Sequence, residues 1–202
     1  TEAVADAASS DDPIGPETCV APSARPQITL AYEHDQAMAA IAHAADARDR
    51  LVDILLSQAK ARWPQDWRSF KPLPFRFATW VGYDMDGRTD IRWHDSIGFR
   101  LAEKAERLAR YCAALEAIDP AHPLLETLHA ATAYSRDRAA DFAGDLDDPE
   151  ALSAVANRLT ADDPAKLLSL APLIDALEDE AQAAAPERTI ALKTLAAAMR
   201  AD

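Results

Sequence analysis

Between Glu33 and Arg62 the chain contains neither proline nor glycine, and Met38, Ile41, Ala45, Val52, Leu55 and Ala59 recur at threes and fours with one slip. Apolar residues at that spacing fall on one face of an α-helix. At about 1.5 Å per residue such a helix runs about 45 Å, longer than a small domain is wide, and Pro64 obliges it to stop near Trp63. A rod of this length cannot bury its face alone. Whatever else the chain forms must line up along it.

The same pattern returns from Ser96 to Ile118, with Asp95 or Ser96 as N-cap and Ile97, Leu101, Leu108, Tyr111, Cys112 and Leu115 on one face. Asp119 and Pro120 end that helix. Shorter helices are predicted over 123–143, 149–159, 164–183 and 186–200. Three of them are announced by Asp148-Pro149, Asp163-Pro164 and Pro186, which place proline at the first helical position, and Pro172 is expected to kink the fourth. Apart from a possible short strand at Phe75–Val81, nothing alternates. The predicted class is all-α: two long helices lying antiparallel, joined by a long ordered loop, with the shorter helices packed along them. Residues 1–31, with Pro13, Gly15, Pro16, Pro22 and Pro26, read as an irregular lead-in to a helical domain over 32–202.

Composition narrows the partners. With 21 basic residues against 34 acidic ones the net charge is -13, which repels a polyphosphate backbone and an anionic membrane surface alike. Nucleic acid and membrane are therefore not expected partners. Two cysteines, Cys19 and Cys112, are too few and too far apart for a disulfide framework, and a reduced, cytoplasmic setting is the expectation. The chain starts at Thr1 rather than methionine, so a piece of a longer polypeptide is expected.

Residues 64–94 break the helical rule. They carry Pro64, Pro72, Pro74, Gly82 and Gly87 and, from Arg76 to Trp93, the string RFATWVGYDMDGRTDIRW. A connection of this size is uncommon unless it serves a site, and its aromatic density argues for order. Asp84 and Asp86 suggest a calcium loop, but that register places Gly82 at the first ligand and Trp93 at the bidentate twelfth, so it fails. Two readings stay open: an Asx-type turn in which the carboxylates accept backbone N–H groups, or a site that turns Arg76, Arg88 or Arg92 toward an anionic ligand.

Arg-Phe-Ala-Thr-Trp-Val-Gly-Tyr-Asp-Met-Asp-Gly, preceded by Pro72-Leu73-Pro74 and followed by a long helix, resembles the phosphoenolpyruvate carboxylase family. Phe77, Thr79, Trp80, Gly82, Asp84, Asp86 and Gly87 keep that family's pattern; Tyr83 stands for a glycine, Met85 for an arginine and Arg88-Thr89 for Asn-Pro, as in a divergent branch. The likeness covers about residues 33–118, and the initial Thr-Glu-Ala is similar to the residues after the family's histidine-proline motif.

The resemblance implies an enzyme that joins bicarbonate to phosphoenolpyruvate, giving oxaloacetate and phosphate, a carbon-fixing step that supplies the tricarboxylic acid cycle. It implies a magnesium or manganese ion whose ligands are not in this chain, a homo-oligomer, and a fold far larger than 202 residues. This chain would then be a helical portion of it, inactive alone, with its catalytic residues unknown and the rest of the polypeptide as its partner. Trp80 and Gly82 would form a substrate-pocket wall, Trp80 being either that wall or a core aromatic. Asp84, Asp86 and Gly87 would fix the loop and orient Arg76 and Arg88.

The alternative is a non-catalytic all-α interaction or scaffold module. Elsewhere, His94 reads as a surface or helix-entry residue next to Asp95 rather than a proton donor. Trp63, Trp67 and Trp93 read as aromatic fasteners of the loop, and Arg100, Arg107 and Arg110 as a solvated face rather than an anion site.

Overall fold

The computed structural model describes residues 28–72, 75–144 and 146–202. Among them are six α-helices and no strand: α1 (Leu30–Arg62), α2 (Trp93–Ile118), α3 (Leu124–Asp141), α4 (Pro149–Thr160), α5 (Ala171–Ala183) and α6 (Pro186–Ala201), with a 3-10 turn at Trp67–Ser69. The all-α class holds. Most of the expected lead-in, residues 1–27, lies outside the described residues, and its last two residues already belong to α1.

Thr29 caps α1 by accepting the Tyr32 N–H at 3.2 Å. The helix buries Met38, Ala45, Val52, Leu56 and Ala59, together with His34 and Arg48. α2 begins at Trp93 and is capped by Arg92, three residues before Asp95 and four before Ser96, the expected caps. Asp95 sits inside its first turn and accepts the Arg92 N–H at 2.9 Å, while the Ser96 hydroxyl is drawn away to the loop. α4 starts where its Asp-Pro predicts, with Asp148 accepting the Ala151 N–H at 2.9 Å. Asp163-Pro164, by contrast, opens only a turn. Helix resumes at Ala171, so Pro172 lies in the first turn of α5, where its missing N–H costs nothing, and it kinks nothing. The Phe75–Val81 segment is irregular backbone followed by a turn.

α6 is the axis of the assembly. Thr189, Leu192, Lys193, Leu195, Ala196, Ala197, Ala198, Met199 and Ala201 are all buried, nearly all the way round the helix, and the small alanines let neighbours approach closely. One cluster joins Leu108, Tyr111, Cys112 and Leu115 of α2 to Leu125, Leu128 and Ala131 of α3, Leu173, Leu177 and Ala181 of α5, and Leu192, Leu195 and Met199 of α6. A smaller one seats Val52 and Leu56 of α1 on Ala197.

Contacts along α1 and α6 pair Lys60 with Glu187, Asp53 with Thr194 and Arg48 with Asp202, so these helices are antiparallel. Across α1 and α2 the order ascends on both sides. His34 meets Phe99 and Glu103, and Asp46 and Asp49 meet Arg110. The two long helices therefore run parallel, not antiparallel as predicted.

The loop explains the reversal. From the end of α1 it binds the α5–α6 corner through Arg68, which donates to Ala181 O, Ala184 O and Thr189 Oγ1 at 2.7, 2.8 and 2.6 Å, and Lys193 returns a bond to Arg68 O. It then passes Phe77 under the Arg48 guanidinium and reaches Glu33 through Arg88. The connection retraces α1 and starts α2 at the same end. No described helix is long and apolar enough to cross a membrane.

Candidate functional site

The loop is built from two successive turns, each with glycine third. In the first, Trp80 O accepts the Tyr83 N–H at 3.0 Å and Gly82 takes φ +84°; in the second, Met85 O accepts the Arg88 N–H at 3.4 Å and Gly87 takes φ +72°. Both are left-handed values that side-chain-bearing residues avoid. Thr79 Oγ1 accepts the Val81 N–H, and Asp84 Oδ1 accepts the Asp86 N–H at 3.2 Å. That last bond is the Asx turn, one of the two readings left open by the residues alone.

Gly82 is also pressed onto α2. A Cβ there would lie 2.4 Å from Phe99 Cδ2. Phe99 in turn stacks on His34 with ring centroids 4.1 Å apart, and the Ser96 hydroxyl donates to Gly82 O at 2.5 Å. Next to it, the Tyr83 hydroxyl donates to Glu103 Oε1 at 2.6 Å, and the Arg100 guanidinium sits 5.0 Å above the Tyr83 ring.

Glu103 is buried in the gap between α1, α2 and the loop, with His34 Nε2 3.5 Å from the same oxygen and Arg100 and Arg107 each 3.8 Å from the other. Burial pushes its carboxyl pKa up, but His34, Tyr83, Arg107 and Arg100 outweigh it and hold it below the ordinary value. Burial, then the bond to Glu103, raises the Tyr83 phenol. Its proton stays on at neutral pH.

Trp80 is neither under the loop nor in the core of this chain; its side chain is 76% exposed. It borders a concavity of about 620 Å³ shared with Tyr32, Glu33 and Gln36 of α1 and with Gly82, Asp84, Asp86 and Arg88 of the loop. Arg88 does not turn to Asp84 or Asp86. It forks onto Asp90 with two 2.7 Å bonds and reaches Glu33 at 3.2 Å. Arg92 pairs with Asp95, and Arg76 is exposed outside the cleft lining. With Glu33, Asp84 and Asp86 facing one neutralised arginine, the cleft alone does not attract an anion.

Of the three tryptophan fasteners, only Trp67 is buried, at 5% exposure; Trp63 and Trp93 stand about half in solvent. His94 lies at the entry of α2, as one of its two readings had it, but not at the surface. It is buried, and neither ring nitrogen has a hydrogen bond among the described residues. Arg110 is not simply solvated either, since it bonds Asp46 and Asp49 across α1 and α2.

The His34–Glu103–Tyr83 cluster escaped sequence reasoning. Its one signal was that His34 lies four residues before Met38, on the buried period of α1. Among the described residues no three His, Cys, Asp or Glu side chains gather where they could hold a metal ion such as magnesium or manganese. No protein-family model, curated protein or solved structure matches the chain, and the family resemblance therefore rests on the loop residues themselves.

Proposed function

We propose that this chain is a helical portion of a phosphoenolpyruvate carboxylase-like enzyme, in which the Arg76–Gly87 loop supplies part of the active-site wall and further polypeptide supplies the reacting centre. One observation carries the reading. A turn clamped on α2 by Gly82, Ser96 and Tyr83 presents the Trp80 indole at the rim of a concavity, still 76% exposed. A large aromatic set on a clamped turn at the edge of a concavity offers an apolar wall to whatever completes the cavity.

Attack of bicarbonate on the phosphoryl group would generate carboxyphosphate and an enolate, and both must be kept from water until the new carbon–carbon bond forms. An indole wall excludes water from one side. Asp84 and Asp86 would repel the anionic substrate, so their work is the shape of the turn. The positive charge that binds phosphoenolpyruvate and bicarbonate, and the ligands of a magnesium or manganese ion, would come from outside this chain.

The test is oxaloacetate formation by the full-length protein supplied with phosphoenolpyruvate, bicarbonate and magnesium. Turnover is expected, and Trp80→Ala should lower kcat/KM at least tenfold with the melting temperature unchanged. A full-length protein that makes no oxaloacetate overturns the reading.

A second reading, a non-catalytic helical interaction module, draws on the exposed Leu51, Ile54, Leu55, Phe70 and Phe75 along α1 and the start of the loop. It predicts that substitutions there abolish a protein–protein contact and leave no carboxylation to lose.

A further inference from the structure

A second concavity, of about 360 Å³, lies between α2 and the 167–170 segment. That is within the range of small-ligand pockets. Arg100, Lys104, Arg107 and Tyr111 line it from positions spaced four, three and four residues apart, and so share one face of α2. Leu101, Leu108 and Leu167 add apolar wall, and Leu168, 83% exposed, stands at the lip.

The charges here are not balanced. Asp202 is the one carboxylate in the lining, and it is already engaged, accepting from Arg48 Nη1 at 3.2 Å and from the Tyr111 hydroxyl at 2.6 Å. Glu103 lies behind the wall, 3.8 Å from both Arg100 and Arg107, and its other oxygen is taken by Tyr83. The Lys104 ammonium is held by a neutral acceptor, Leu167 O at 2.5 Å. Burial and then the charge of Lys166 push its pKa down, which marks an ammonium short of a counter-charge. Three cations around one cavity run against the background of a chain whose net charge is -13. The overall field expels anions, so saturable anion binding needs a local concentration of positive charge such as this one.

We propose that this cavity binds a small organic anion, its phosphate or carboxylate head between Lys104 and Arg107 and a short apolar body against Leu101, Leu108 and Leu168. A planar guanidinium beside an ammonium suits an oxyanion head, and the leucines reward the body by burying it. The site shares no lining residue with the loop cleft. It stands whether or not the protein carboxylates phosphoenolpyruvate.

Titration calorimetry of the full-length protein with inorganic phosphate, hexanoate and hexyl phosphate tests this, and the two hexyl ligands separate a carboxylate from a phosphate head. At least one hexyl ligand should bind saturably, at least tenfold tighter than phosphate. Lys104→Met and Arg107→Met should each weaken it at least tenfold. Leu168→Ser, at an exposed site that cannot endanger folding, should weaken the hexyl ligand several-fold. Arg88→Ala, in the loop cleft, should change nothing. Absence of saturable binding by both hexyl ligands, or binding undiminished in Lys104→Met, Arg107→Met and Leu168→Ser, overturns the proposal.

Discussion

Gly82→Ala should unseat the loop by two separable effects. Alanine at φ +84° costs about 1–2 kcal/mol for the left-handed backbone. The new Cβ would also meet Phe99 Cδ2 at 2.4 Å and Cε2 at 2.8 Å, so about 1 Å of movement is needed to restore ordinary contact. Phe99 is poorly placed to give way, because its ring is stacked on the buried His34. Forcing atoms into such a packed site costs about 1–3 kcal/mol more. The sum, about 2–5 kcal/mol, is a large part of the ~5–15 kcal/mol that holds a typical domain together, and corresponds to a fall in melting temperature of about 5–15 °C.

Gly87→Ala is the control. Its φ is +72° but no atom lies within 4 Å of the added Cβ, so only the backbone share, about 1–2 kcal/mol, should be lost. In a Phe99→Ala background the cost of Gly82→Ala should fall to that same share, a coupling of about 1–3 kcal/mol. Urea unfolding followed by far-UV circular dichroism measures all of these. Equal losses for the two glycines, or a Gly82→Ala cost that Phe99→Ala leaves unchanged, would refute the reasoning.

Arg68→Met should destabilise by about 2–4 kcal/mol, because it strips charge-assisted bonds from Ala181 O, Ala184 O and Thr189 at the α5–α6 corner; a thermal melt within about 2 °C of wild type would contradict this. Leu192→Ala, in the fully buried α6 face, should cost about 2–5 kcal/mol in the same assay. Glu103→Gln should carry a pH signature. The folded carboxyl is held below its ordinary value of 4.5, so its contribution is complete above that pH and is lost as pH falls through the depressed folded value. Wild type should accordingly exceed the variant in stability near pH 7, and the gap should close on acidification below about pH 4; a gap that widens would show the sign to be wrong. Trp80→Ala should leave stability within about 0.5 kcal/mol of wild type, since the indole is mostly in solvent.

Helical periodicity and prolines located most of the elements. The chain from Glu33 to Arg62 is one helix, and Asp148-Pro149 and Pro186 mark real starts. Asp163-Pro164 has the same local chemistry, yet only a turn forms there. The direction of α2 was not legible, because it is decided by Arg68 reaching residues more than a hundred positions away and by the loop then doubling back. In the loop itself, the glycines and the Asx turn follow from local rules. Where Trp80 points does not, and Arg88, held chiefly by Asp90 two residues on, is also tied to Glu33 of α1. Glu103 was equally hidden, for a glutamate on a helix reads as solvated until Tyr83, His34 and Arg107 are seen to converge on it from three segments.

The position of α6 bears on how the chain is made. α1 and α2 leave the ribosome before α6, yet the surface that covers Val52, Leu56 and part of α2 belongs to residues 186–201, more than a hundred positions after Leu56. The early helices must wait with greasy faces open, the state in which holding chaperones act. Closure depends on partners far apart in sequence, so this all-helical protein should reach its native state more slowly than a simple up-and-down bundle of the same length.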